Sequence, residues 1–176
     1  MQHLIEVKLA ELSQLFNSMD PSPFRERDLD RHAEEFIVSW AQEHPKQADL
    51  RLKIHLTRPH PGGEDPTPAV QQAVRHYFDY LAVLKWREFR LLMREGRTAM
   101  IIGILFNVVC QVGAWLLPPA VEPWQSIIRE GLTVGGWVAL WRPLEIYLYM
   151  WWPILRRRRI YQKLSLMDVQ IIQPLP

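Results

Sequence analysis

The chain has 176 residues, 48% of them hydrophobic and 23% charged, and a formal net charge of +2. Its mean hydropathy of −0.13 is that of an ordinary soluble domain, yet residues 98–117 carry no charged side chain and residues 131–155 carry two. The first 68 residues hold 12 of the 19 acids and 8 of the 21 bases, and this unevenness excludes both a single soluble core and a wholly disordered chain.

In chain order, Ile5, Val7 and Leu9 alternate with Glu6 and Lys8, a strand pattern. A helical turn over Glu11–Asn17 can close it, and Asp20-Pro21-Ser22-Pro23 is a turn by its chemistry. Asp30 is placed to cap a helix over Arg31–Glu43, with Ala33, Phe36, Ile37, Trp40 and Ala41 as its apolar face. Leu50, Leu52, Ile54 and Leu56 alternate with Arg51, Lys53 and His55 as a second strand. This β-α-β unit over residues 1–56 is short for an independent core and needs a further partner. Strand order and direction stay open.

Residues 57–68 form a Pro/Gly linker. Thr67 as N-cap and Pro68 at the first helical position open a long amphipathic helix over 69–97. Val70, Val74, Tyr77, Leu81 and Leu84 follow steps of four and three. That seam admits two readings, core packing within the chain or a self-association interface. Residues 98–117 then suit a first transmembrane helix of ~30 Å. Its Asn107 and Gln111 are four apart and share a face, which favours protein over lipid. Residues 118–130 form an external loop and 131–155 a second span, with 156–176 as a basic tail in which Val169, Ile171 and Ile172 either add an edge strand or fray.

The flanks set an orientation. Residues 85–97 carry five bases and two acids, and residues 156–163 five bases and no acid, whereas residues 118–130 carry one base and two acids. Positive flanks on both sides of a hairpin place both termini in the cytoplasm. The acids among the first 30 residues argue against a cleavable signal peptide. Six of the eight tryptophans fall within residues 115–152, as at a membrane interface.

Arg142 and Glu145 lie three apart inside the second span, on one face and opposite in sign. Such charges face protein or a water-filled cavity. The alternatives are a structural pair, an ion pathway, or the end of a short span at Trp141-Arg142-Pro143 with residues 144–153 in the interface. Arg156, Arg157, Arg158, Arg159 and Lys163 suit anionic lipid headgroups as well as a topology signal. The six histidines lack metal-ligand spacing, so neither metal nor cofactor is expected. Asp20–Asp30 lacks the calcium-loop pattern, its arginines neutralise it locally, and no nucleic-acid motif surrounds the bases. The single cysteine, Cys110, allows no intrachain disulfide.

The segments LFNSMDPSPF (15–24), Asp28-Leu29-Asp30 and AEEFIVSW (33–40), together with GGWVALWRPLEIYLYMWWPILRRRR, resemble the signatures of an uncharacterised family of bacterial two-span inner-membrane proteins. The resemblance covers most of the chain. It implies a bacterial inner-membrane location and carries over no activity and no catalytic residue. The combined expectation is an α+β protein with a small cytoplasmic β-α-β domain, a long helix and a two-helix transmembrane hairpin. Its expected role is a non-enzymatic, self-associating assembly module on anionic lipids, as a homo-oligomer or in a larger membrane complex. The alternative is a subunit of a small oligomeric channel or transporter using Arg142, Glu145, Asn107 and Gln111.

Overall fold

The computed structural model describes residues 2–20, 23, 27–43, 49–58, 65–118 and 122–173. It divides into two compact units, one formed by residues 1–85 with 156–176 and the other by residues 86–155.

The first unit is built on a three-stranded parallel sheet. Strand β1 (Gln2–Leu9) pairs with β2 (Asp49–Leu56), which pairs with β3 (Asp168–Ile172), in the order β1-β2-β3. The tail segment is therefore an edge strand, and the second strand is the central one. Helix α1 (Arg31–Glu43) makes the crossover from β1 to β2, as parallel pairing requires. Its start follows the sequence: Asp30 Oδ1 accepts the His32 amide at 2.9 Å, satisfying one of the orphan donors of the first turn. Ahead of it, a single 3₁₀ turn spans Leu12–Leu15.

Strand alternation decides which face is covered. Ile5, Leu52, Ile54 and Val169 are buried in one cluster with Ile37 and Ala41 of α1. Val70, Val74 and Phe78 join from helix α2 (Thr67–Leu116), and Tyr161 and Leu164 from the helix over Trp151–Ser165. The opposite face carries Glu6, Lys53 and His55, with Glu6 Oε1 4.0 Å from Lys53 Nζ and 3.8 Å from His55 Nε2. On α1 the apolar face is narrower than the periodicity suggests. Phe36 and Trp40 are exposed and pack on each other with ring centroids 6.0 Å apart.

Two details differ from expectation. Helix α2 is capped from outside its first turn: Asp65 Oδ1 accepts the Thr67 amide at 3.0 Å and the Thr67 hydroxyl at 2.6 Å. These bonds, the hydroxyl's first, hold the Asp65 carboxyl below its ordinary pKa. Thr67 is thus the first helical residue and not the cap. The Val70–Leu84 seam is occupied within the chain. Val70 and Val74 are fully buried, Tyr77 and Leu81 pack on the same core, and Leu84 is half-buried. This corrects the reading of Val70, Val74, Tyr77, Leu81 and Leu84 as a free self-association face.

The second unit contains the remainder of α2, then α3 (Pro123–Val138), α4 (Trp141–Glu145) and one wide π turn over Ile146–Met150. The last helix, α5 (Trp151–Ser165), begins in this unit and ends in the first. Residues 131–155 are therefore not one unbroken span. Pro143 cannot donate to the Ala139 carbonyl, and the helix yields at Ala139–Leu140. Pro143 sits in the first turn of α4, where a missing amide is tolerated, whereas Pro153 lies inside a helix that continues through the wide π turn, which directly precedes α5.

Candidate functional site: a hairpin with an apolar exterior

The buried stripe of α2 in the second unit is Leu92, Gly96, Gly103, Cys110 and Ala114, with Asn107 half-buried beside it. These positions recur in steps of three, four and seven, a helical packing seam. Their partners run the opposite way. A Cβ on Gly96 would meet Ile146 Cγ2 at 2.9 Å, one on Gly103 the Ala139 carbonyl oxygen at 2.8 Å, and one on Gly136 the Asn107 Nδ2 at 3.0 Å. α2 and the segments after it thus pack antiparallel, so closely that backbone meets backbone. The Gly103 contact falls on the carbonyl for which Pro143 supplies no amide.

The outside of this pair is apolar. Ile101, Ile102, Leu105, Phe106, Val109 and Val112 are exposed on α2, and Trp115 is 82% exposed. Ile127, Val134, Trp137 and Val138 are exposed on α3. Among the described residues α2 is the one helix long and apolar enough to cross a membrane, and 17% of its apolar window is buried. Small and amide side chains lie inside while large aliphatic and aromatic ones lie outside, the reverse of a water-soluble helix pair. α3, at 16 residues, is shorter, ~24 Å along its axis.

Arg142 and Glu145 are joined, with Arg142 Nη1 donating to Glu145 Oε2 at 3.2 Å. A second carboxylate was not anticipated from the sequence: Arg142 Nη2 donates to Glu95 Oε1 on α2 at 2.9 Å. One guanidinium therefore ties α2 to α4 between two acids, with each side chain about half exposed. The signal for Glu95 was its place as an acid among the bases of residues 85–97. It needed the register of the antiparallel pair to be read. Asn107 and Gln111 do not join this group. Asn107 is twelve residues further along α2 than Glu95, ~18 Å, and packs on Gly136 with its Nδ2 buried and unbonded. Gln111 is half-buried one turn beyond.

Arg129, counted above only as a loop charge, has a structural task. Its Nη2 donates to the Leu117 and Pro118 carbonyls, each at 2.9 Å, covering acceptors that the end of α2 leaves open.

The basic cluster belongs to α5 in the first unit. Arg156, Arg157 and Arg159 are exposed, and Arg158 and Lys163 are half-buried. In the same unit, Tyr77 donates to Glu34 Oε2 at 2.6 Å, and burial together with that carboxylate pushes its hydroxyl well above the usual tyrosine range. Among the described residues no three His, Cys, Asp or Glu side chains gather as a metal site would need.

The chain matches no protein-family model, no curated protein and no solved structure. A functional reading rests on the chain's own residues.

Proposed function

We propose that this chain is a non-enzymatic, membrane-anchored assembly module of the bacterial inner membrane. In this reading α2 and α3 form a two-span hairpin, both termini lie in the cytoplasm, and the parallel-sheet unit is the cytoplasmic domain. The observation that carries it is the inside-out hairpin, with glycine, cysteine and asparagine in its seam and large apolar side chains facing outward. The five-residue basic cluster after the second segment supports contact with anionic headgroups. The short α3 supports a span ending near Ala139, with Trp141, Trp151 and Trp152 at interface depth.

Self-association is supported on α3. Gly131 and Gly135 are four apart, and among the described residues nothing outside their own helical turn comes within 4 Å of a Cβ placed on either. That leaves bare backbone facing outward, the surface through which membrane helices approach closely. Arg142, paired twice within one chain, supports a structural lock more than a conducting group.

Cysteine accessibility tests the topology. In a Cys110→Ala background, Gln125→Cys is expected to react with a membrane-impermeant maleimide from the periplasmic side. Asp79→Cys is expected to react only after lysis. Labelling of both positions from the same side would overturn the hairpin. Doubling Gly131→Ile with Gly135→Ile is expected to convert the detergent-extracted oligomer to monomer. An unchanged mass would overturn the α3 interface.

A further inference from the structure

The first unit holds a groove of about 420 Å³ between α1 and α5, within the size range of small-ligand sites. From α1 it takes Arg31, Glu34, Glu35, Ser39 and Gln42, and from α5 Arg157 with Tyr161 below it. Several of these groups are already engaged. Arg31 Nε bonds Glu35 Oε1 at 3.1 Å, and Glu34 accepts the Tyr77 hydroxyl. Among the described residues the side chains of Arg157, Ser39 and Gln42 bond no protein group. The open groups are therefore a guanidinium, a hydroxyl and a carboxamide, each able to donate.

The geometry points to a phosphate-binding site in this groove, with Arg157 as the charged anchor and Ser39 and Gln42 as neutral donors. Ser39 and Gln42 are three apart on α1 and share its groove face. A guanidinium alone saturates the two oxygens of a carboxylate bidentately. A third and fourth donor match the additional oxygens of a tetrahedral phosphate. Arg156, Arg158 and Arg159 beside Arg157 raise the local positive potential, offsetting the two engaged glutamates. The phosphate comes either from a phospholipid headgroup or from a soluble phosphate ester, since the donors read only the group both share. The inference does not depend on the membrane topology, because a soluble ester reaches the groove in either case.

The test uses the full chain in an uncharged maltoside detergent. Glycerol 3-phosphate is titrated calorimetrically, and maltoside micelles doped with phosphatidylglycerol are compared with undoped micelles, which carry no phosphate. Arg157→Gln is expected to weaken binding at least about tenfold, the scale of a lost charge-assisted hydrogen bond. Ser39→Ala and Gln42→Ala are expected to weaken it about threefold each, the scale of a lost neutral bond. Arg75→Gln, a charge-matched change on an exposed part of α2 outside the groove, is expected to leave it within about twofold by the same scale. Binding of both probes with this pattern assigns the phosphate group itself. The same pattern with phosphatidylglycerol alone assigns the lipid headgroup. Equal losses for Arg157→Gln and Arg75→Gln, or no binding of either probe, overturn the site.

Discussion

Gln71 decides whether the third strand stays on the sheet. Its Nε2 donates to the Met167 carbonyl at 2.7 Å, and its Oε1 accepts the Val169 amide at 2.6 Å. One side-chain amide thereby acts as a peptide group, holding the residues on either side of Asp168. Gln71→Ala removes both bonds and leaves a part-buried amide and carbonyl without partners. Each such bond contributes about 0.5–1.5 kcal/mol net, so the pair is worth about 1–3 kcal/mol. Because β3 is an edge strand paired with one other strand, β2, the loss falls on local opening of β3 before it falls on the whole unit. Amide hydrogen exchange over residues 168–172 is expected to accelerate about 5- to 150-fold, with β1 and β2 changed far less. Gln71→Glu separates the two bonds, since a carboxylate still accepts from Val169 but repels the Met167 carbonyl. It is expected to open β3 at least as much as Gln71→Ala at neutral pH, and less below the carboxylate pKa. Unchanged exchange in β3 for Gln71→Ala would refute the reasoning.

Three further outcomes follow from other contacts. Gly103→Val is expected to separate α2 from the Ala139 region, because its Cβ would lie 2.8 Å from a backbone oxygen that cannot swing away; a crosslink between engineered cysteines at positions 99 and 143 should be lost, whereas Gly131→Val should retain it. Glu95→Gln leaves Arg142 with Glu145 as its charged partner and is expected to loosen α4, read as increased protease nicking near residues 139–145, with Glu95→Asp intermediate. Asp28 has its carboxyl pKa raised, first by desolvation and then by Asp20, against a lowering effect from His76. A folded pKa above the unfolded one contributes stability that is full below the unfolded value and is lost as pH rises through the folded value. Asp28→Asn is therefore expected to stabilise the first unit at pH 7, by no more than ~0.5 kcal/mol because the group is exposed and screened. That gain should vanish at about pH 3, below both pKa values, and a gain that grows on acidification would contradict the sign.

Local signals in the sequence carried the first unit well. Asp30 before Arg31, and the alternation from Leu50 to Leu56, set α1 and β2 because caps and period-2 burial depend on near neighbours. The tail strand was visible as Val169 and Ile171, but its pairing with β2 was not, since parallel register is fixed by distant residues. In the second unit the charge-free run of α2 was plain. The break at Ala139–Leu140 lies beside Trp141-Arg142-Pro143, which the sequence offered as the end of a short span, but the continuous apolar composition of residues 131–155 weighed for one longer span. The Glu95–Arg142 bond could not be read from spacing along one helix, because it exists only once two helices are in register. Gln71 gave no signal at all: a glutamine that imitates a peptide group looks like any surface glutamine until its strand is in place.

The sheet has a consequence for the order of events during synthesis. Arg51 pairs with Asp168 and His55 with Ile172, so β2, the central strand, stays half-unpaired until the C-terminal strand has left the ribosome. Closing such a long loop through open chain is entropically expensive and slow. The intervening hairpin shortens that search: once Gly96 lies against Ile146, the two ends of the excursion are already neighbours, and β3 has only a short tether to explore. Packing of the helical hairpin would then act as the timing step for closing the sheet. A nascent chain stalled before residue 168 should hold β1 and β2 as an exposed parallel edge, a natural client for a chaperone.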